Sequence, residues 1–398
     1  MAEAVRSSTA LSHDEALRRA ETLLPILKER SAETEHMRQV PDRTVRDLHD
    51  AGLFRILQPR RFGGSELSFR SLVEVCAVIG QGCGSTAWVY ANLASHHWML
   101  GMWESRAQDR IWGESPDVLI ASAFVFPAGH AYRVDGGYRI SGRWKFSSGI
   151  DSCRWTMVGA IVHDESTEEG EYRMFIVPQA DYRQIDTWFV AGLKGTGSKD
   201  LEVRDAFVPD YLTLAVADVL GASTPGSAAN PSPLYRVPPF DMFPYVVGGV
   251  ALGIAEGAID AFTQDTVTRL AAYSSTRMSD YATVQVRLAE ASAAVYAARL
   301  VMTSRCDQAM QIAQRGRPTL DEKVAFRRDG AYAARLCTRA VDVLFEASGG
   351  DALYDQRDIQ RAFRDVHAAN NHAALTWDVA ASLYGKVALG IRIDNPTI

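Results

Sequence analysis

Arg361-Ala-Phe-Arg364-Asp365-Val-His367-Ala-Ala-Asn-Asn-His372 reads as part of one long helix deep inside an apolar C-terminal third. Paired arginines, an acid and two histidines on a buried helix must each be paired or neutralised, so packing alone does not account for them. They point to the wall of an active site. Around this stretch the chain is helical: Val246 to Thr268, Asp280 to Arg315, Leu320 to Ser348 and Ile359 to Gly390 each exceed the usual globular length, which suggests a bundle. Ala289, Ala293, Ala294 and Ala297 make a seam that lets helices pack closely.

Upstream the period changes. Val118-Leu-Ile-Ala-Ser122, Tyr132-Arg-Val134, Tyr138-Arg-Ile140, Trp155-Thr-Met-Val158, Tyr172-Arg-Met-Phe-Ile-Val177, Leu201-Glu-Val203 and Ala206-Phe-Val-Pro209 are short runs rich in β-branched and aromatic residues. Asp135-Gly136-Gly137 is a hairpin signature between two of them. Residues 219–240 are too polar and broken for an element and read as a loop or covering flap. Before residue 118 the pattern is helical again: Leu17, Ala20, Leu23, Leu24 and Leu27 recur at helical spacing, and helices are expected from Ser71 to Gln81 and from a Gly84-Ser85-Thr86 cap to Gly101. The fold class is therefore α+β, with a helical domain over residues 1–117, a mostly antiparallel β domain over 118–215 and a helical bundle domain over 240–398.

Composition excludes several function classes. A 398-residue chain with 47% hydrophobic and 23% charged residues is that of an ordinary soluble protein. A net charge of −6 with no basic stripe argues against nucleic acid. Cys76, Cys83, Cys153, Cys306 and Cys337 are widely spaced without a CxxC pair, which fits reduced thiols in the cytoplasm better than a disulfide framework. Residues 1–15 are too polar for a signal peptide, and no apolar run reads as long enough to cross a membrane. The histidines have no Asp, Glu or Cys partner at ligand spacing, so no metal site is expected. No GxGxxG follows a strand and opens a helix, so direct NAD(P)H binding is not expected.

The helical–β–helical order resembles the acyl-CoA dehydrogenase superfamily over nearly the whole chain. Leu193-Lys-Gly-Thr-Gly-Ser198 with Val203 and Val208-Pro209, and Gly349-Gly350 through Gln360-Arg361 to Arg364-Asp365, carry that resemblance. Ser141-Gly-Arg-Trp-Lys-Phe-Ser147-Ser148-Gly149 is similar to the Trp-x-(Trp/Phe)-Ser-Ser-Gly motif of the flavin-dependent monooxygenase branch, whose members include 4-hydroxyphenylacetate and steroid-phenol hydroxylases and indole oxygenases. The resemblance implies an oxygenase component that takes reduced FMN or FAD from a separate NAD(P)H:flavin reductase. With O2 as co-substrate it forms a C4a-hydroperoxide and hydroxylates a small aromatic substrate, phenol or indole-like. It also implies a homotetramer built through the C-terminal bundle. Dehydrogenation of acyl-CoA needs a carboxylate base, and the residues after Arg364-Asp365 lack the family's Gly-Thr-x-Glu-Ile sequence. N- or S-oxygenation on the same fold stays open.

The same resemblance nominates site residues. His372 falls where the branch keeps a histidine beside flavin and substrate, and a near-neutral imidazole can deprotonate a phenol. Ser122 sits where related hydroxylases touch the substrate hydroxyl. His96 and His97, in His96-His97-Trp98, diverge by about 100° on a helix, so one of them lines the pocket, with His96 favoured as catalytic and His97 left as a substrate contact. Ser147 and Ser148, flanked by Trp144 and Phe146, are expected at the flavin, although two serines before a glycine also make a turn. Arg277, in Ser274-Ser-Thr-Arg277, and Gln285 match positions that hold the flavin's phosphate side. Phe124 and Trp377 are expected among the aromatic substrate contacts.

Overall fold

In the computed structural model residues 10–164, 167–272, 275–395 and 397–398 are described. Residues 1–9, part of the stretch read as unlike a signal peptide, and Ser274 lie outside them. The first helix, α1 (His13–Glu29), starts where the sequence provides a cap: the Ser12 hydroxyl accepts the Glu15 N–H, and Asp14 and Glu15 occupy the electropositive first turn. It is followed by α2 (Ser31–Met37), α3 (Asp42–Asp50), α4 (Phe69–Gly82), α5 (Gly84–Leu100) and α6 (Ser105–Trp112). The cap of α5 differs from the expectation, because Ser85 gives it no side-chain bond. Its Oγ instead accepts the Gly195 N–H at 3.2 Å and ties the helix to a loop of the β domain.

The strands are β1 (Ile120–Ala123), β2 (Gly129–Val134), β3 (Gly137–Ser147), β4 (Trp155–Asp164), β5 (Thr167–Pro178), β6 (Tyr182–Ile185), β7 (Lys199–Pro209) and β8 (Thr213–Ala215). They form one sheet in the order β6-β7-β3-β2-β4-β5-β8, with β1 beside β4. β1 and β2 run parallel to β4, and the other pairs are antiparallel. β6 and β8 escape the sequence reading because four and three residues are too short to show a period of two. The pairing of β3 with β7 slips between Trp144 and Ser147, and there Phe146 takes φ +69°. A bulge of this kind re-aims side chains, and it sets which of the residues in Trp144–Ser148 face the site.

The bundle consists of α7 (Pro239–Thr268), α8 (Ala282–Arg315), α9 (Leu320–Ser348), α10 (Asp358–Asn370) and α11 (Trp377–Ala388). A capping box between Thr319 and Glu322 starts α9. α7 packs against α4 so closely that a Cβ at Gly253 would stand 2.2 Å from the Ala77 carbonyl oxygen. By length and composition α7 is apolar enough to cross a membrane, contrary to the sequence reading. Yet 78% of its apolar stretch is buried against the other helices, as in the core helix of a globular protein. The alanine seam is also corrected: Ala289, Ala293 and Ala297 are exposed on α8, and its buried alanines are Ala291, Ala298, Ala309 and Ala313.

The fourth long helix is broken. α10 stops at Asn370, and the His372 imidazole accepts the Ala374 N–H at 3.2 Å, capping a short 3-10 turn (Ala373–Leu375) before α11 begins. Two asparagines, poor helix formers, precede a side chain that competes for the backbone, so the chain turns out of the helix. This break delivers His372 to the interface of the three layers.

Candidate active site

Where α5, the sheet and the break after α10 meet lies a cavity of about 820 Å³, within the roughly 300–1,000 Å³ usual for small-molecule sites. One face of α5 provides Trp88, Asn92, Ser95 and His96, residues one helical turn apart. β1 contributes Ser122 and the following Phe124, the segment after β3 Ser148, the loop before β7 Leu193, Thr196 and Ser198, α7 Phe240 and Phe243, and the break His372. Among the described residues no Asp or Glu lines this space.

The two cavity histidines are held in opposite senses. His96 is 2% exposed, and its Nδ1 lies 2.6 Å from the Ile120 carbonyl oxygen. A carbonyl only accepts, so Nδ1 carries the hydrogen and, in the neutral ring, Nε2 is left as a base. Burial pushes its pKa down to about 4 despite that hydrogen bond. His372 is the reverse. Its Nδ1 accepts the Ala374 N–H, so the neutral ring carries its proton on Nε2 as a donor. Its surroundings push the imidazole down to about 4, which keeps it neutral near pH 7. β1 thus serves twice, with the Ile120 carbonyl orienting His96 and the Ser122 hydroxyl two residues on lining the same cavity.

A directed chain of hydroxyls forms the opposite wall. Thr196 Oγ1 donates to the Leu193 carbonyl at 3.0 Å, so the 2.7 Å contact to Ser198 must run from Ser198 to Thr196. Ser198 has then spent its proton, so the 2.7 Å contact with Ser148 runs from Ser148 to Ser198. Ser148 Oγ also accepts the Trp88 indole N–H at 3.0 Å. One lone pair on Ser148 is left, an acceptor with no donor function to offer. The Trp88 ring meets the His372 ring edge-on at 5.5 Å, so it joins the hydroxyl chain to the histidine.

Of the expected site residues, His96, Ser122, Ser148, Phe124 and His372 come together in this cavity. Others do not. Trp144 is fully buried on the face it shares with Tyr138 and Ile140 and donates its indole N–H to the Gly159 carbonyl. Ser147 is buried with no partner for its hydroxyl, because the extra residue at Phe146 shifts the alternation by one and turns it inward. His97 projects from another face of α5 toward the Val118 carbonyl and the edge of Trp112. Trp377 packs on Tyr332 at the α9–α11 seam. Arg277 and Gln285 are exposed at the start of α8, where Gln285 donates to the Ser279 carbonyl. The sequence reading missed Asn92, Thr196 and Ser198, although Asn92 stands at helical spacing between Trp88 and His96 and Ser198 closes the glycine turn already singled out. Arg327 and Thr397 left no signal at all, since only the tertiary fold brings them to the cavity.

A family model described as "Acyl-CoA dehydrogenase, N-terminal domain" matches residues 18–112, and one described as "Acyl-CoA dehydrogenase, C-terminal domain" matches residues 245–377. The chain is 34% identical over 384 residues, 96% of its length and all of the relative's, to "Flavin-dependent monooxygenase, oxygenase subunit HsaA" of Rhodococcus jostii (strain RHA1). It is 32% identical over 402 residues, covering 98% of each chain, to "FADH(2)-dependent resorcinol hydroxylase, oxygenase component" of Rhizobium sp. (strain MTP-10005). The crystal structure of 3-HSA hydroxylase from Rhodococcus sp. RHA1 superposes with a TM-score of 0.92 at 33% identity, over 97% of this chain and all of that one.

Proposed function

The chain belongs to the flavin-dependent monooxygenase oxygenase components built on the acyl-CoA dehydrogenase fold, and we propose that its cavity holds a phenol or indole-like ring between His96, Ser122 and His372, facing a reduced flavin at the hydroxyl chain. It is an oxidoreductase that works with reduced flavin and O2 alongside a separate flavin reductase. The observation that carries the site assignment is the pair of neutral histidines with opposite tautomers. One offers a base and the other a donor, beside an acceptor-only hydroxyl.

The residues fit the flavin. When bound, it activates O2 and supplies the oxygen atom that enters the ring. The free lone pair on Ser148 suits an N–H donor of a reduced isoalloxazine, and Trp88 backs that contact by fixing the Ser148 oxygen. Ser122 and His96 Nε2 suit the substrate's hydroxyl, with His96 accepting its proton as the ring becomes more electron-rich. The sequence reading gave the base role to His372. The Ala374 N–H on its Nδ1 favours a donor role instead, hydrogen-bonding the oxygen side of the reaction from Nε2. Among the described residues no carboxylate lines the cavity, which weighs against α-proton abstraction and leaves the acyl-CoA reading without a base. Aromatic walls from Phe124, Phe240 and Phe243 keep the site dry.

With chemically reduced FMN or FAD, 18O2 and a panel of phenols and indoles, the expected product carries a single 18O atom. Absence of product across the panel, or oxygen drawn from water, overturns the reading. Ser148→Ala is expected to raise the share of flavin electrons released as hydrogen peroxide by about 10-fold, because the acceptor for an N–H of the reduced ring is lost. Ser147→Ala, outside the cavity and already unpaired, is expected to change that share by less than about twofold. Peroxide release per flavin oxidised checks both.

A homotetramer and a cytoplasmic location are part of the same proposal. Val286, Ala289, Ala293, Tyr296, Ala297 and Leu300 form an exposed apolar stripe along α8, the kind of face a second copy covers. Arg277 and Gln285 lie at the head of that helix, outside their own chain's cavity, where they suit the phosphate end of a flavin held by a neighbour. Light scattering is expected to give four times the 43.7 kDa chain mass; a monomer removes the role of Arg277 and Gln285. The five buried, unpaired thiols favour a reducing compartment.

A further inference from the structure

We propose that Arg327 is the specificity-determining residue of this cavity, selecting aromatic substrates that carry a carboxylate on a side chain remote from the ring hydroxyl. The inference rests on the monooxygenase reading above and adds to it the class of substrate.

Arg327 comes from α9 and lines the cavity with a side chain 14% exposed. Its Nε donates to Asp241 Oδ1 at 2.9 Å, and Asp241 sits on α7 between the cavity residues Phe240 and Phe243. The other two nitrogens reach neutral acceptors: both contact the Thr397 hydroxyl at 3.2 Å, and Nη2 also donates to the Thr397 carbonyl. Lys323, one turn earlier on α9, is 3% exposed and its Nζ has no partner; Asp241 Oδ2 has none either. Two largely buried cations, with the exposed Arg317 nearby, therefore face one carboxylate in a poorly solvated place. Burial holds the Lys323 ammonium below its usual range and the Asp241 carboxyl above its own, the response expected of charges left undercompensated.

The group that best completes this arrangement is a carboxylate. A guanidinium fork binds it through two parallel, charge-assisted hydrogen bonds, whereas the Thr397 oxygens offer neutral acceptors only. Asp241 orients the fork from behind, and Thr397 occupies the place that a ligand oxygen takes. Among the described residues Arg327 and Lys145 are the charged side chains lining the cavity; Lys145 is exposed, so Arg327 alone offers a charge within the partly desolvated space. The walls between are aromatic, which suits a ring bearing a short spacer.

The test compares kcat/KM for 3-(4-hydroxyphenyl)propionate with that for its methyl ester and its carboxamide, with 4-ethylphenol and indole as uncharged members, in the wild-type protein supplied with reduced flavin. The acid is expected to exceed the ester and amide by roughly 10- to 100-fold, the range of a charge-assisted contact. Arg327→Met is expected to bring that ratio to within about threefold of unity, and Arg327→Lys to restore part of it. Thr397→Val, which removes one competing acceptor, is expected to tighten binding of the acid a few-fold in equilibrium titrations and not that of the ester. Equal use of acid and ester by the wild-type protein, or an unchanged ratio in Arg327→Met, overturns the inference, and the wild-type comparison stands even if that variant does not fold. If uncharged phenols and indoles are hydroxylated and the acid is not preferred, this inference alone fails. If no member of the panel is hydroxylated, the monooxygenase reading fails with it.

Discussion

His96→Asn is expected to lower hydroxylation by about 10²- to 10⁴-fold, the usual contribution of a positioned base, while the reduced flavin is still oxidised by O2. The reasoning starts from the Ile120 carbonyl. By accepting the Nδ1 hydrogen it fixes the neutral tautomer whose Nε2 can take a proton, and burial keeps the ring neutral down to about pH 4. An asparagine can retain a hydrogen bond there but cannot hold a proton. The electrons that no longer reach the ring are expected to leave as hydrogen peroxide, so product formed per flavin oxidised should collapse while the oxidation rate does not. His372→Gln makes the contrast. Its amide nitrogen keeps a donor near the place of Nε2, so it should cost less than His96→Asn, whereas His372→Ala should cost more than His372→Gln. Product yield by chromatography and peroxide by a coupled assay decide it. If His372→Gln abolishes hydroxylation and His96→Asn does not, the roles of the two rings are exchanged. Both rings lie far below their ordinary pKa, so kcat/KM is expected to show no histidine titration between pH 6 and 8.

The order of the three layers was readable because each rests on a periodicity long enough to be seen, whereas the cavity histidines were nominated by the motif resemblance and not by the pattern of the helices. What hid the finer placement was backbone geometry. A one-residue bulge near Phe146 turns Ser147 into the core and leaves Ser148 on the cavity, and a period of two gives no warning of such a slip. The break at Asn371 was invisible because Asn370-Asn371-His372 fits a helical pattern until the imidazole is seen capping the next turn. His97 turns away from the cavity, as the angle of about 100° between adjacent helical residues requires. Arg327 and Thr397 lie 70 residues apart and meet only because α9 and the C-terminal segment fold onto the same cavity. A paired arginine on a long amphipathic helix otherwise reads as a solvated one. Arg364 and Asp365, which the sequence marked for their density of charge, turn out to act through the loop beside the cavity instead of lining it.

Asp365→Ala is expected to weaken flavin binding by about 10-fold or more, by loosening a loop and not by removing a contact. Asp365 is 5% exposed, and its Oδ1 accepts the Leu193 N–H at 2.6 Å. Leu193 sits at φ +51°, an uncommon conformation for a leucine that the surroundings must hold in place. Its carbonyl accepts the Trp188 indole at 3.1 Å and the Thr196 hydroxyl at 3.0 Å, the last link of the chain that orients Ser148. Without the carboxylate the buried Leu193 N–H loses its acceptor, at about 1–3 kcal/mol, and the hydroxyl chain loses its anchor. Asp365→Asn keeps an acceptor and removes the charge, so fluorescence titration with oxidised FMN and FAD should rank wild type and Asn together above Ala. The pH dependence separates charge from geometry. Burial raises the Asp365 carboxyl from 3.8 to about 6, against the lowering effect of the Leu193 N–H and the Arg364 and Arg361 guanidinium groups. The folded protein therefore binds more protons than the unfolded chain between those values. Its stability falls as pH rises through that window and levels off above it, by an amount of order 3 kcal/mol. Asp365→Asn lacks that titration, so its unfolding midpoint should gain on wild type between pH 4 and pH 7. A wild-type protein whose lead over Asp365→Asn grows with pH would mean that the ionised carboxylate is favoured in the fold, and that the arginines outweigh its burial.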